Sequence, residues 1–216
     1  MASAHPQLVP LAEVAEGDRD RARLLIEAAY DLLDESGLEG LTIRAVLART
    51  GLARRAFYEC FQGKDDLVLA VFDSSLRAAA AQFRDITANC SCSEEALRLI
   101  VTNIVVGQLG HNHMGANRRG AALSREHLRL AQTRPGELQS ALQPLLDLIA
   151  GYVSAGVEKG QFRKADSQLQ ARLIYNLVST TVHTMLLAEE AGVGDRQERE
   201  ELADAIWEFC RCGILA

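Results

Sequence analysis

What this chain lacks narrows its class before any motif is read. Only four prolines occur in 216 residues, and with 48% hydrophobic residues this fits a helix-rich soluble protein. No apolar run approaches the ~20 residues of a bilayer crossing, so no membrane association is expected. The opening MASAHPQLVPLAEVAEGDRD has no basic segment ahead of an apolar core. It does not read as a secretory signal, and a cytoplasmic location is the expectation. There is no glycine-rich phosphate loop, no nucleophile elbow, no carboxylate–histidine constellation and no strand-rich segment to carry one. An enzyme is therefore not expected, and no cofactor. The five cysteines include two Cys-x-Cys pairs, Cys90/Cys92 and Cys210/Cys212, a spacing unlike that of zinc sites and with no histidine beside either. They read as small reduced core residues. A redox-responsive role for them stays open as an alternative.

What is present is concentrated in residues 41–61, LTIRAVLARTGLARRAFYECF. Ile43, Val46 and Leu47 take the i, i+3, i+4 spacing of a buried helix stripe between Thr42 and Thr50. Gly51 follows, where a residue of positive φ would end that helix and begin a turn. Leu52 plugs the corner. A second short helix is expected from Arg54 to Phe61, with Phe57 and Phe61 inward and Arg54, Arg55 and Tyr58 outward. Residues 41–64 hold five basic side chains (Arg44, Arg49, Arg54, Arg55, Lys64) against one acid, Glu59, a local balance of +4 in a chain of net −6. Two short helices about a glycine turn, with charge concentrated on the second, have the form of a helix-turn-helix that enters a DNA major groove. A solvated helical hairpin in an ordinary all-α protein is the bland alternative.

From Asp18 to Ala78 the chain resembles the DNA-binding domain of the TetR/AcrR family of bacterial regulators. The matching features run in order: the small apolar run Ile26–Ala29, the break Glu35-Ser36-Gly37-Leu38, then Leu41-Thr42-Ile43-Arg44 and Gly51-Leu52-Ala53. Phe57-Tyr58 with Phe61 follows, then Gly63-Lys64-Asp65-Asp66-Leu67. Three positions depart from the family pattern: Ala53 stands where a serine usually caps the recognition helix, Cys60 where a histidine is common, and Ala56 where threonine is common. A missing cap costs roughly 1 kcal/mol. The resemblance implies DNA contacts from Thr42, Arg44, Ala53, Arg54, Arg55, Tyr58 and Lys64. For Arg19, Arg21 and Arg23 it suggests an early phosphate contact, beside the plain reading of solvated surface charge.

The rest of the chain reads as helices, giving an all-α protein of about nine or ten in total. Residues 1–17 read as a flexible arm, 18–78 as the DNA-binding domain and 79–216 as a helical effector-binding and dimerisation domain. Ser93, followed by Glu94 and Glu95, looks like the cap that starts the next helix. Pro135 and Pro144, each placed in a first turn, suggest a short helix over 135–142 and a longer one from 144 to 159. The stretch 167–188 is apolar on more than one face, and 197–210 carries Leu202, Ile206 and Phe209 as a stripe with Trp207 off it. These two helices read as half of a four-helix homodimer interface, as they are in the family; an internal hairpin is the alternative.

A two-fold dimer implies a palindromic operator. The expected function is a ligand-responsive regulator, a repressor released by an apolar or aromatic small molecule. Asn103, Gln108, His111, His127, Tyr152, Tyr175, Asn176 and His183 are the polar candidates for the ligand pocket. His111 with His113 could instead mark a metal site, but no further ligands are visible and none is expected. A helical ligand-binding or dimerisation module without DNA affinity is the rival reading.

Overall fold

The computed structural model describes residues 16–107, 113–190 and 196–215, and these form nine α-helices with one isolated bridge, Phe162 to Leu215. Gln108, His111 and residues 1–15 lie outside the described residues, while Glu16 and Gly17 open the first helix. α1 (Glu16–Gly40) bends at Gly37, whose φ of 63° is left-handed, so the break expected at residues 35–38 is a kink inside one element. α2 (Ile43–Thr50) starts at Thr42, whose hydroxyl accepts from Ala45 N, and ends at Gly51 with φ 68°. α3 (Arg54–Cys60) and α4 (Lys64–Thr87) follow. α5 (Ser93–Val106), α6 (His113–Thr133), α7 (Pro135–Glu158), α8 (Ser167–Glu190) and α9 (Arg196–Ile214) complete the set.

Three expectations need correction. Pro144 does not start a helix: α7 is continuous from Pro135 to Glu158 with Pro144 inside it. A proline there removes one backbone hydrogen bond at a cost of about 3 kcal/mol. Leu138, Ala141 and Leu142 before it and Leu145, Leu146 and Ile149 after it are all buried, and that shared burial keeps the two halves in one helix. Ser93 does not cap α5. The cap is Cys92, whose thiol accepts from Glu95 N, while the Glu95 carboxylate reaches back to Ser91 N at 2.7 Å. In α9, Trp207 is buried beside Ile206, and Phe209 is 71% exposed. The inward face of that helix is therefore Ala203, Ile206, Trp207 and Cys210.

Two cores share α4 and, to a smaller extent, α6, which gives Ala122 to the first and Leu130 to the second. Leu25, Leu33, Leu41, Val46, Phe57 and Phe61 form the first, with Leu67, Val68 and Val71 from the start of α4 and Ala122 from α6. Leu69, Phe72, Ala79, Ala80 and Phe83, also on α4, belong to the second, with α5, α7, α8 and α9 around them. α6 lies against α1 on one side and α8 on the other. The turn after α7 is folded back tightly: Gln161 N and Phe162 N both donate to Gly156 O, and the Phe162 ring lies on the Gly156 Cα.

A methyl group at Gly156 would sit 2.1 Å from the Phe162 ring, whereas at Gly151 in the same helix it would meet nothing within 4 Å. Gly156→Ala should therefore destabilise the fold by about 1–3 kcal/mol through overpacking. Gly151→Ala should stabilise it by about 0.5–1 kcal/mol through helix propensity. Urea unfolding of the two variants against the parent chain checks both signs.

Candidate DNA interface and regulatory core

Phe57 sets the orientation of α3. It is fully buried, stands edge-on to Tyr58 at 5.4 Å and tilts against Phe61 at 5.8 Å. With Phe57 pinned inward, Arg54, Arg55, Tyr58 and Glu59 make up the exposed face of this helix. They form two parallel i, i+4 pairs. Arg54 donates to the Tyr58 hydroxyl at 3.3 Å, with its guanidinium 5.5 Å from the ring centre. Arg55 donates to Glu59 at 2.9 Å. Ala53 offers no side-chain cap, as its residue type dictates.

The other expected DNA residues are placed differently from one another. Arg44 is exposed on α2, and Thr42 is exposed at its start with the hydroxyl already engaged by Ala45 N. Lys64 is half-buried and donates to Leu38 O at 3.1 Å, which closes the kinked end of α1. Its ammonium has further N–H groups for a phosphate. Arg49, one of the five basic residues of this stretch, is turned back to α1, where it pairs with Glu35 and with Asp31 at 3.4 Å. That bond holds the Glu35 carboxyl below the usual carboxylate range. Arg21 pairs with Asp18 at 3.1 Å and with Glu59 at 2.9 Å.

Three arginines from the α6 region grip the first core, and sequence reasoning missed all of them. Arg119 pairs with Asp34 of α1 at 2.7 Å and lies over the Tyr30 ring, whose hydroxyl bonds Ser75 of α4. Arg129 takes Asp65 in a bidentate pair at 3.0 and 3.1 Å and also holds Glu126 at 2.7 Å. Arg134, just past α6, pairs with Asp66 and Glu137. The partners are 64 to 85 residues apart in sequence, so only the i, i+3 partners Glu126 and Glu137 could have been found by spacing.

Behind α6 a small polar group interrupts the apolar second core. The His127 ring stacks on Tyr175 with centres 6.1 Å apart and meets the edge of Phe72 at 5.7 Å. Ser124 and the His183 Nδ1 are 2.7 Å apart, and the Tyr152 hydroxyl is 2.6 Å from the Thr87 hydroxyl. Burial pushes the Tyr175 hydroxyl pKa up, and it pushes the His127 imidazole below the ordinary 6.5, with nearby His183 acting in the same direction. His127, Tyr175 and His183 are thus brought together, while Tyr152 lies against Thr87 at the other end of α4. Two other candidates are not. Asn103 donates to Leu99 O within α5, and Asn176 is exposed on the outer side of α8.

Away from this group, a surface groove of about 570 Å³ runs between α5 and α9, lined by Cys92, Arg98, Trp207 and Arg211 among others. Two of its acids are paired, Asp204 with Arg98 and Glu208 with Arg211. All five thiols are free, and burial pushes Cys60 up and Cys210 to about 11. Reactive cysteines need the opposite shift. Among the described residues there is no group of three or more metal-ligating side chains and no helix long and apolar enough to cross a membrane. On the outer side of α8 and α9, Leu169, Leu173, Leu187 and Phe209 are exposed.

The model of a family of bacterial regulatory proteins, the tetR family, matches residues 25–71. No curated protein matches the chain in sequence. Among solved structures, the transcriptional regulator FadR from Bacillus subtilis, in complex with stearoyl-CoA, is 18% identical with a TM-score of 0.67, covering 89% of this chain and 98% of that one. A TetR-family transcriptional regulator from Pectobacterium atrosepticum is 17% identical with a TM-score of 0.73, covering 94% and 98%. RolR in complex with resorcinol is 15% identical with a TM-score of 0.66, covering 91% and 90%. At these identities the likeness is one of fold.

Two outcomes follow from the geometry. Glu126 is buried and Arg129 is its charge partner, so Arg129→Ala should destabilise the chain by about 3 kcal/mol. Adding Glu126→Gln should recover most of that loss in urea unfolding. For His127 the folded value lies below the unfolded one, so the unfolded chain takes up the extra proton. Stability is then lost as pH falls below 6.5. His127→Gln should flatten that part of the urea midpoint against pH.

Proposed function

We propose that this chain, whose residues 25–71 carry the DNA-binding segment of the tetR family, is a ligand-responsive transcription regulator acting as a homodimer on palindromic DNA. Repression relieved by an apolar or aromatic small molecule is the mode we assign to it. The observation that carries the reading is the outer face of α3. It offers two arginines and a tyrosine on a helix whose opposite side is locked by Phe57 and Phe61. In this reading Arg54 and Arg55 reach base edges or phosphates, Tyr58 packs on sugar–phosphate, and Thr42, Arg44 and Lys64 hold the backbone. Residues 18–78 are the DNA-binding unit and 79–216 the effector and dimer unit, working in the cytoplasm.

The exposed apolar residues of α8 and α9 support the dimer. Exposed Leu169, Leu173 and Leu187 on α8 and Phe209 on α9 are side chains of the kind that a second copy covers. The His127–Tyr175–His183 group supports the effector site, because a few polar atoms in an apolar interior orient a small molecule. FadR in complex with stearoyl-CoA, a ligand with a long apolar acyl chain on a charged coenzyme A, and RolR in complex with resorcinol, an aromatic diol, are proteins of this fold with small molecules bound.

α6 connects the two sites. On one side Ser124 and His127 belong to the polar group, and on the other Arg119 and Arg129 hold Asp34 and Asp65 of the first core. A ligand that prefers one placement of α6 over another would move the reading heads with it.

Selection of randomised duplexes by the full chain tests the reading. It should enrich two inverted half-sites about one turn, ~34 Å, apart or somewhat more. The enriched duplex should bind at least ~10³-fold tighter than a scrambled one, with steep salt dependence. Arg54→Ala with Arg55→Ala should abolish that preference. No enrichment from the parent chain would favour the rival reading, a helical ligand-binding module without DNA affinity.

A further inference from the structure

Glu59 is the one acid within residues 41–64, and it stands on the outer face of α3. An acid on a surface that approaches phosphates is repelled by them, so its presence asks for a reason. Stability does not supply one. Arg55 is 90% exposed, and an exposed i, i+4 pair contributes little to stability. What the carboxylate does is geometric. One oxygen accepts from Arg55 Nε at 2.9 Å and the other from Arg21 of α1 at 2.9 Å. Arg21 is held in turn by Asp18. A single side chain therefore restrains two arginines from different helices at one edge of the reading face. Arg54 is restrained separately, by Tyr58.

We propose that Glu59 is a positioning residue for DNA specificity: it aims Arg55 along the reading face and moors Arg21 beside it. The proposal rests on the DNA-binding reading above. A long arginine side chain loses rotamer freedom when it reaches a base edge, and a partner that restrains it beforehand lowers that loss. Glu59 thereby trades overall affinity for sequence preference. Without it, the chain gains positive charge on this face and Arg55 becomes free to settle on any phosphate.

The test uses the full chain on two duplexes, the one enriched by the parent chain and its scrambled counterpart. Glu59→Gln should bind the scrambled duplex more tightly than the parent chain does. Its ratio of enriched to scrambled affinity should fall by roughly tenfold. In an Arg55→Ala background the same substitution should change that ratio by less than about threefold, because the residue it positions is gone. Thermal unfolding within a few degrees of the parent separates this from loss of fold. If Glu59→Gln strengthens both duplexes equally, the carboxylate acts only by its charge and the proposal falls. It falls also if the ratio drops as far without Arg55. A parent chain that does not distinguish the duplexes would overturn the DNA-binding reading itself, whereas strong preference unaffected by Glu59→Gln would overturn this inference alone.

Discussion

The structure depends on the double burial of α4. Leu67, Val68 and Val71 are built into the first core, while Leu69, Phe72, Ala79, Ala80 and Phe83 are built into the second. Close-packed interiors move between discrete arrangements and do not stretch. The orientation of α2 and α3 is therefore tied to the packing of α5 through α9. The ion pairs at the start of the helix reinforce the tie. Asp65 and Asp66 suit the positive end of α4, and Arg129 and Arg134 hold those same carboxylates from α6 and the residue beyond it. The same two acids thus stabilise a helix terminus and join two packing units.

The first core was legible because its signals are local. Gly51 needs a positive φ, Thr42 caps the helix it precedes, and Phe57 and Phe61 sit four residues apart, one within a short helix and one just past its end. Each can be read within a few residues. Pro144 was misread for the same reason: by local rule it starts a helix, and only the burial of Leu138 to Ile149 along both sides shows why α7 passes through it. The stripe of Leu202, Ile206 and Phe209 is split in the structure, with Ile206 buried beside Trp207 and Phe209 exposed, because spacing alone does not say which of two apolar faces meets the rest of the chain. The pairs Arg119–Asp34 and Arg129–Asp65 join residues far apart in the chain, and nothing near either arginine announces its partner. In the candidate effector group, His127 and Tyr175 were picked out as polar residues in apolar helices. That they meet, with Phe72 on the other side of the imidazole, came from packing.

Charge is used economically on the reading face. The whole chain is acidic at −6, and of its basic residues near the turn, Arg49 is committed to α1 and Lys64 to Leu38 O. What remains outward is Arg44 on α2 with Arg54 and Arg55 on α3. At physiological salt, charges more than ~8 Å away are largely screened. The distant acids therefore do little to oppose contact at the groove, while they oppose loose adhesion of the rest of the surface to DNA. Such a distribution favours selective contact through a few side chains over general electrostatic retention.

The placement of α8 makes the proposed regulation geometrically economical. Tyr175 and His183 reach α6 through His127 and Ser124, while Leu169, Leu173 and Leu187 of the same helix are exposed. A helix with its side chains is about 10 Å across. The candidate effector group and the proposed dimer face thus share one helix, and α6 joins that group to the first core. A small molecule preferring one spacing of α6 from α8 would set the first core of each copy against the shared two-fold axis through only two helices. In the proposed regulation, release from DNA would turn on which spacing matches the groove separation, a property of the pair of helices rather than of any one residue.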